Sequence, residues 1–227
     1  MDMKALEARV KSLDDRLRTI EDVEEIEIIQ VMYGSYLEYG MWEEVVGLFS
    51  DNAESIELVD SGVYLGKAGV DRVCKSMGAR RVPMEASRWK ELRGMAIPRT
   101  FFHVLMLGQG VVDVDPGGKV AYGRWRGVEN ASRPGDGFGV AGTWIQYWGR
   151  GIYEDEYIKE DGKWRIKKLH WYLTFLALYE NGWLTPMTYS LSSSTLPSDK
   201  PSTFDHRYPD PEWCTVPFHY KHPITGK

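Results

Sequence analysis

The sequence predicts an α+β fold in which helices pack on one face of a curved antiparallel sheet. Apolar residues recur at helical spacing through most of the first 80 positions. After Pro98, four long segments rich in β-branched and aromatic residues follow one another. Turn sequences, among them "DPGG" at 115–118 and "EDG" at 160–162, lie between them. Helices followed by a meander of strands are typical of a sheet covered by helices on one side.

The first predicted helix, residues 4–20, carries a heptad seam. Its apolar residues alternate at spacings of four and three over about two heptads. They are Leu6, Val10, Leu13, Leu17 and Ile20. Two heptads are too short to be stable alone, so the seam needs a partner surface. That surface belongs either to its own domain or to another subunit.

A second helix is predicted over residues 22–40. Asp22 with Glu25 three residues on resembles a capping box, and Gly40 ends the helix. Further on, "MWEEVVGLFS" and "KAGVDRVCKSMGA" predict helices on either side of a hairpin, "SIELVDSGVYLG". Residues 85–98 are predicted to be helical up to Pro98.

Four strands then follow, with the sequences "TFFHVLMLGQGVVDVD", "KVAYGRWRGVENA", "AGTWIQYWGRGIYEDEYIKE" and "GKWRIKKLHWYLTF". The segment after residue 178 is rich in Ser and Pro but retains aromatic residues, which disordered tails usually lack. It is therefore predicted to lie on the domain or on a neighbouring subunit. The expected organisation is an N-terminal helix (1–21), an α+β domain (22–178) and a C-terminal aromatic arm (179–227).

Composition excludes several classes of function. The formal net charge is −5 and the pI is near 5.6, which gives no support for nucleic-acid binding. Cys74 and Cys214 form no CxxC pair, no signal peptide is recognisable, and no apolar run of membrane-spanning length occurs. A cytoplasmic protein is expected. Nucleotide-binding, nucleophile-elbow and zinc-site motifs are missing from the sequence, so no cofactor and no metal are predicted.

The stretch "YEDEYIKEDGKWRIKKLHWYL" (153–173) predicts a hairpin with Asp161 and Gly162 in the turn. Counting outward from the turn pairs Asp155 with Lys168 and Tyr153 with His170. Alternation then assigns eight residues to the face that meets the helices. These are Tyr153, Asp155, Tyr157, Trp164, Ile166, Lys168, His170 and Tyr172. Ionisable groups on a core face indicate either a structural cross-strand pair or a pocket that supplies acids and bases.

His103 is the other chemical outlier, because it lies in an apolar strand. A lone histidine there is more often a satisfied core residue than a catalyst. A catalytic role is favoured if Arg99 and the Tyr33 face of the second helix lie nearby. In "YGRWRG", Trp125 alternates with two arginines and is predicted to point inward.

The order of elements resembles the nuclear-transport-factor-2-like superfamily and, within it, the SnoaL-like group. The residues that carry this resemblance are "IIQVMYGSYLEYGMWEEVVGLFSDNAE" (28–54), "GVYLGKAGVDRV" (62–73) and "GRGIYEDEYIKEDGKWRIKKLH" (149–170). The resemblance implies a cone-shaped sheet around a pocket, a homodimer or homotrimer, and proton-transfer chemistry without a cofactor. It maps the helix tyrosine of the family onto Tyr33, the helix carboxylate onto Glu38 and the strand histidine onto His103.

In its aromatic tail and its many Trp and Tyr, the chain is most similar to the bacterial lignin diarylpropane γ-formaldehyde lyases. This implies a small aromatic substrate, cleaved to a stilbene and formaldehyde through a quinone methide. The predicted catalytic residues are Tyr33, Arg99, His103, Asp155, Lys168 and His170. The predicted substrate-binding residues are Tyr36, Glu38, Trp89, Trp125, Tyr153 and Tyr172. The alternatives are a dehydratase, isomerase or cyclase on another aromatic, polyketide or terpenoid substrate, and a hydrophobic-ligand-binding protein without catalysis.

Overall fold

In the described part of the chain, helices pack against one six-stranded sheet, as expected for the predicted α+β class. The computed structural model describes residues 2–58, 61–79, 102–134, 144–183, 196–204 and 216–227. The helices are α1 (Met3–Tyr39), α2 (Trp42–Gly47) and α3 (Gly66–Ala79). The strands are β1 (Ser55–Leu58), β2 (Val63–Leu65), β3 (Phe102–Val114), β4 (Val120–Pro134), β5 (Trp144–Glu160) and β6 (Lys163–Leu178). The helix predicted for residues 85–98 lies outside the described part of the chain.

The sheet is curved and unclosed, with strand order β2-β1-β6-β5-β4-β3. Strands β3 to β6 form an antiparallel meander, whereas β1 joins β6 in parallel. The sheet is therefore mixed rather than wholly antiparallel. Its inner face packs on α1, and the described core lies between them. No helix in the described part of the chain is both long and apolar enough to cross a membrane.

Helix α1 is one continuous helix of 37 residues, not the two predicted. Asp22 does not cap a helix: it is buried and accepts hydrogen bonds from Trp164 Nε1 (2.8 Å) and Lys159 Nζ (2.5 Å). The connecting sequence "RTIEDVEE" contains neither glycine nor proline, so nothing interrupts the helix. The predicted end at Gly40 is correct, since Gly40 adopts the left-handed conformation.

The β5–β6 hairpin begins in the predicted register and then departs from it. Glu160 pairs with Lys163 and Tyr157 with Ile166, around a turn in which Asp161 and Gly162 both have positive φ. A β-bulge between Glu156 and Tyr157 then shifts the pairing by one residue. Because strand faces alternate, the residues of β6 from Lys168 to Leu173 change face, and a second bulge between Arg150 and Gly151 then shifts the pairing again.

Described parts of the C-terminal arm lie on the same chain. Residue 200 pairs with Val63 at the edge of the sheet, and Asp199 Oδ2 accepts a hydrogen bond from the amide of Leu65 (2.8 Å). The carbonyl oxygen of Leu196 accepts a hydrogen bond from the Tyr64 hydroxyl (3.3 Å). These parts of the arm therefore pack on their own domain, which is one of the two locations predicted for the arm.

Candidate active site

A row of small and aromatic side chains forms the inner face of β4 and β5. On β4 the row consists of Trp125, Gly127, Glu129 and Ala131, and on β5 of Tyr147, Gly149, Gly151, Tyr153 and Asp155. The glycines let neighbouring rings lie close to the sheet. A Cβ on Gly151 would fall 2.2 Å from Trp171 Nε1, and one on Gly127 would fall 2.9 Å from Tyr153 Cε2. Gly151 in "GRGIY" therefore allows the ring of Trp171 to pack against the sheet.

His103 lies at one end of this row, paired with a carboxylate. Its Nε2 lies 2.8 Å from Glu129 Oε1, across the β3–β4 ladder, and both side chains are buried. Strand pairing sets the contact, since Leu105 is directly opposite Glu129 and His103 is two residues away on the same face. A carboxylate beside an imidazole stabilises its protonated form, so the pair is suited to giving and taking a proton.

Two phenols lie in the middle of the inner face. The rings of Tyr33 and Tyr153 meet edge to face at 6.0 Å, and Tyr153 stacks on Trp171 at 5.6 Å. Burial raises the pKa of Tyr33 well above its ordinary value, and the nearby Asp155 and Glu129 raise it further. Burial also raises the pKa of Tyr153. Both phenols therefore remain protonated at neutral pH, and their hydroxyls are hydrogen-bonded to each other.

Asp155 lies deeper, in a network with the helix. Its Oδ1 accepts a hydrogen bond from the amide of His170 (3.2 Å), and its Oδ2 lies 3.5 Å from the Tyr157 hydroxyl. That hydroxyl donates to Gln30 Oε1 (2.8 Å) and accepts from Trp125 Nε1 (2.9 Å). Burial raises the pKa of Asp155 well above its ordinary value, against the opposing effect of the His170 amide. The environment favours the neutral carboxylic acid.

One buried N–H donor of the inner face, Trp171 Nε1 beside Gly151, has no hydrogen-bond partner among the described residues. An unpaired buried donor is costly, and native structures normally satisfy it. Trp171 Nε1 is therefore a candidate donor to an oxygen atom of a bound ligand. The side chain of Gln30, on the buried side of α1, is instead hydrogen-bonded to Asp155.

Three predicted site residues lie elsewhere, because the β-bulge turns them away from α1. Lys168 pairs with Glu156, not with Asp155, and its Nζ lies 3.8 Å from Glu156 Oε1 on the outer face. His170 is buried on that face, with Nδ1 3.7 Å from Glu57 Oε2. Tyr172 stacks on His170 at 3.6 Å. The predicted Asp155–Lys168 pair is wrong, and Leu169 and Trp171 take the inner positions.

The remaining predicted residues divide into three groups. Trp125 and Tyr153 point inward, as predicted. Glu38 has a structural contact, because its Oε1 accepts a hydrogen bond from the Leu105 amide (2.8 Å), and Tyr36 is half-buried against the core. Trp89 and Arg99 lie outside the described residues.

Sequence reasoning missed Glu129, Gln30 and Trp171. The sequence did contain a signal for Glu129. It lies four residues after Trp125 on the same strand, so the two side chains share the face that was predicted to point inward. Trp171 was assigned to the outer face by the register error, and Gln30 was not considered. Within the described ranges, no group of three or more His, Cys, Asp or Glu side chains is arranged to hold a metal ion.

Comparison with known proteins now identifies the family. The SnoaL-like domain matches residues 18–170, about two thirds of the chain. The chain belongs to the SnoaL-like family. This agrees with the resemblance seen in the sequence and covers the helix, the meander and the hairpin that carry the site. A search of curated proteins found no match.

Solved structures share the SnoaL-like fold at low sequence identity. A scytalone dehydratase candidate from Novosphingobium aromaticivorans is 15% identical, with a TM-score of 0.53 over 71% of this chain and 90% of that one. LinA, a hexachlorocyclohexane dehydrochlorinase, is 10% identical, with a TM-score of 0.55 over 76% of this chain and 99% of that one. At such identities the comparison establishes the fold alone.

Proposed function

We propose that this SnoaL-like protein is a lyase that cleaves a lignin-derived diarylpropane diol to a stilbene and formaldehyde, with His103 as the acid and base. The buried pair of His103 and Glu129 beside two protonated phenols carries the proposal. The aromatic wall of Tyr33, Tyr153 and Trp171 suits a substrate with two phenolic rings. The resemblance noted in the sequence points to the same reaction.

The first step removes the benzylic hydroxyl. Protonated His103 gives its proton to that hydroxyl, which leaves as water with the C–O bonding pair. The para-phenolate of the substrate supplies electrons and becomes a quinone methide. Glu129 holds the imidazolium before the transfer, and the hydroxyl of Tyr33 donates a hydrogen bond to the phenolate oxygen. Positioned acid–base groups contribute about 10²–10⁴-fold to such transfers.

The second step releases formaldehyde. Neutral His103 takes the proton of the primary alcohol, and the alkoxide electrons form the C=O bond of formaldehyde. The broken C–C bond supplies the pair that becomes the stilbene double bond, and the quinone methide returns to a phenolate. His103 is protonated again, so the cycle is neutral in protons and electrons and needs no cofactor. Lys168 takes no part, because it lies on the outer face.

A dehydratase is the second candidate, since the first step alone is a dehydration. The likeness to the scytalone dehydratase candidate favours elimination chemistry at such a site. A dehydratase would release water from the substrate and no one-carbon product. A binding protein would hold the substrate and convert none.

The test is incubation of the full chain with diarylpropane-1,3-diols, with stilbene and formaldehyde measured together. Equal amounts of the two products are expected. His103→Gln should lower turnover by about 10²–10⁴-fold, whereas Lys168→Met should leave it unchanged. Water loss without formaldehyde would establish a dehydratase instead. Binding without conversion, or full turnover by His103→Gln, would refute the proposed lyase.

A further inference from the structure

The first five turns of α1 are exposed along their whole length. Every residue from 2 to 21 is exposed, and the first buried residue is Asp22. From there on the helix is held, by Trp164 and Lys159 at Asp22 and by core packing at Ile26. At 1.5 Å per residue, residues 3–21 extend about 29 Å from this anchor. We call them the projecting helix.

The projecting helix carries a regular apolar stripe. Its members are Met3 (67% exposed), Leu6 (42%), Val10 (58%), Leu13 (53%), Leu17 (53%) and Ile20 (62%). The spacing of three and four residues makes Met3, Val10 and Leu17 heptad a positions, and Leu6, Leu13 and Ile20 d positions. In the described part of the chain nothing covers this stripe. Its apolar residues therefore remain available to another molecule.

Charged residues beside the stripe indicate which partner binds it and whether the two helices run parallel or antiparallel. The g positions include Arg9 and Arg16, and the e positions five residues later are Asp14 and Glu21. In a parallel pair of identical helices, each g residue faces the e residue of the next heptad on the other chain. Arg9 then meets Asp14 and Arg16 meets Glu21, twice in each case. An antiparallel pair would place arginines against arginines and acids against acids.

We infer that the projecting helix forms a parallel two-stranded coiled coil with a second copy of this chain. Val10 at a with Leu13 at d in the central heptad favours two strands. Two heptads alone would be marginal, but here the helix continues a buried helix of the domain, so it is already formed. The coiled coil joins two domains at their N-terminal ends and does not involve the proposed catalytic site.

The first test measures the mass of the full chain across a concentration series. We expect a dimer that becomes monomeric in Leu13→Glu, while the domain still unfolds cooperatively because Leu13 contributes nothing to its core. The double variant Arg9→Glu/Arg16→Glu should raise the dissociation constant of the dimer at least about tenfold. The double variant Asp14→Arg/Glu21→Arg should raise it by a similar factor. An equimolar mixture of these two charge variants should recover the affinity. A trimer, a monomer, or a dimer that survives Leu13→Glu would overturn the inference.

The second test determines direction. In a Cys214→Ser background, Leu6→Cys places one thiol at a d position that lies opposite itself only in a parallel, in-register pair. Rapid disulfide cross-linking under mild oxidation is expected, whereas Lys11→Cys, on the outer side of the same helix, should cross-link poorly. Equal cross-linking at the two positions would overturn the parallel seam.

Discussion

His103 Nε2 lies 2.8 Å from Glu129 Oε1, and the two side chains share the inner face of neighbouring antiparallel strands. The contact joins residues that are 26 positions apart in the chain. It places a paired imidazole and carboxylate on a sheet face that is otherwise formed largely by small and aromatic residues. In the proposed mechanism, Glu129 holds the protonated imidazole and so makes one histidine serve as acid and then as base.

Removal of the carboxylate tests this relationship. Glu129→Gln keeps the size of the side chain but no longer stabilises the imidazolium. Turnover of the diol should fall by about 10²-fold or more. The control is Glu156→Gln, on the outer face near Lys168, for which unchanged turnover is expected. Unchanged turnover in Glu129→Gln would show that Glu129 is only structural.

The hydroxyl of Tyr33 is the proposed donor to the substrate phenolate. Tyr33→Phe should lower turnover by about 10²–10³-fold, as loss of one preorganised donor does, with little loss of fold stability. Tyr122→Phe is the control, since Tyr122 is 40% exposed and lies on the outer face of β4. Wild-type turnover in Tyr33→Phe would exclude the hydroxyl from the reaction.

The buried Asp155 should make stability depend on pH. Its pKa is raised in the folded chain, so between its ordinary value and the raised one the folded state binds more protons than the unfolded state. Stability therefore falls as pH rises through that window. Asp155→Asn removes this loss and should gain stability relative to wild type as the pH rises above the ordinary pKa of an aspartate, as measured by urea unfolding. A difference from wild type that does not change with pH would contradict the raised pKa.

The glycine at 151 should be essential for packing. A Cβ there would fall 2.2 Å from Trp171 Nε1 and 2.6 Å from the Tyr172 carbonyl oxygen, so Gly151→Ala forces ring and backbone to move. We expect a loss of about 1–3 kcal/mol in the free energy of unfolding. Gly47→Ala, where the added carbon meets nothing within 4 Å, should be neutral or stabilising by up to about 1 kcal/mol. Equal effects of the two substitutions would contradict the close approach.

Cys74 should be unreactive in the native protein. Burial raises its pKa to about 12, so almost no thiolate is present at pH 8. In a Cys214→Ser background, a thiolate-directed reagent should label the chain only after denaturant is added, and then at one site. Rapid labelling of the folded chain would show that α3 opens easily.

The tertiary fold decided which predicted groups meet. Counting from the turn placed Tyr153, Asp155, Tyr157, Trp164 and Ile166 on the inner face, where they are found. The count failed beyond the bulge, and Lys168, His170 and Tyr172 moved to the outer face. The bulge has a local signal that the count did not use, because the consecutive Lys167 and Lys168 break the alternation after Ile166 and move the next apolar residue to Leu169.

By itself, the sequence determined the classes and order of the elements, the DG turn and the apolar stripe of the first helix. Each of these depends on residues within a few positions of one another, which periodicity and turn preference report directly. Only the tertiary structure decided that Glu129 is the partner of His103 and that the buried Asp22 accepts a hydrogen bond from Trp164. These contacts join distant segments, and their geometry depends on strand register and curvature, which local sequence does not encode.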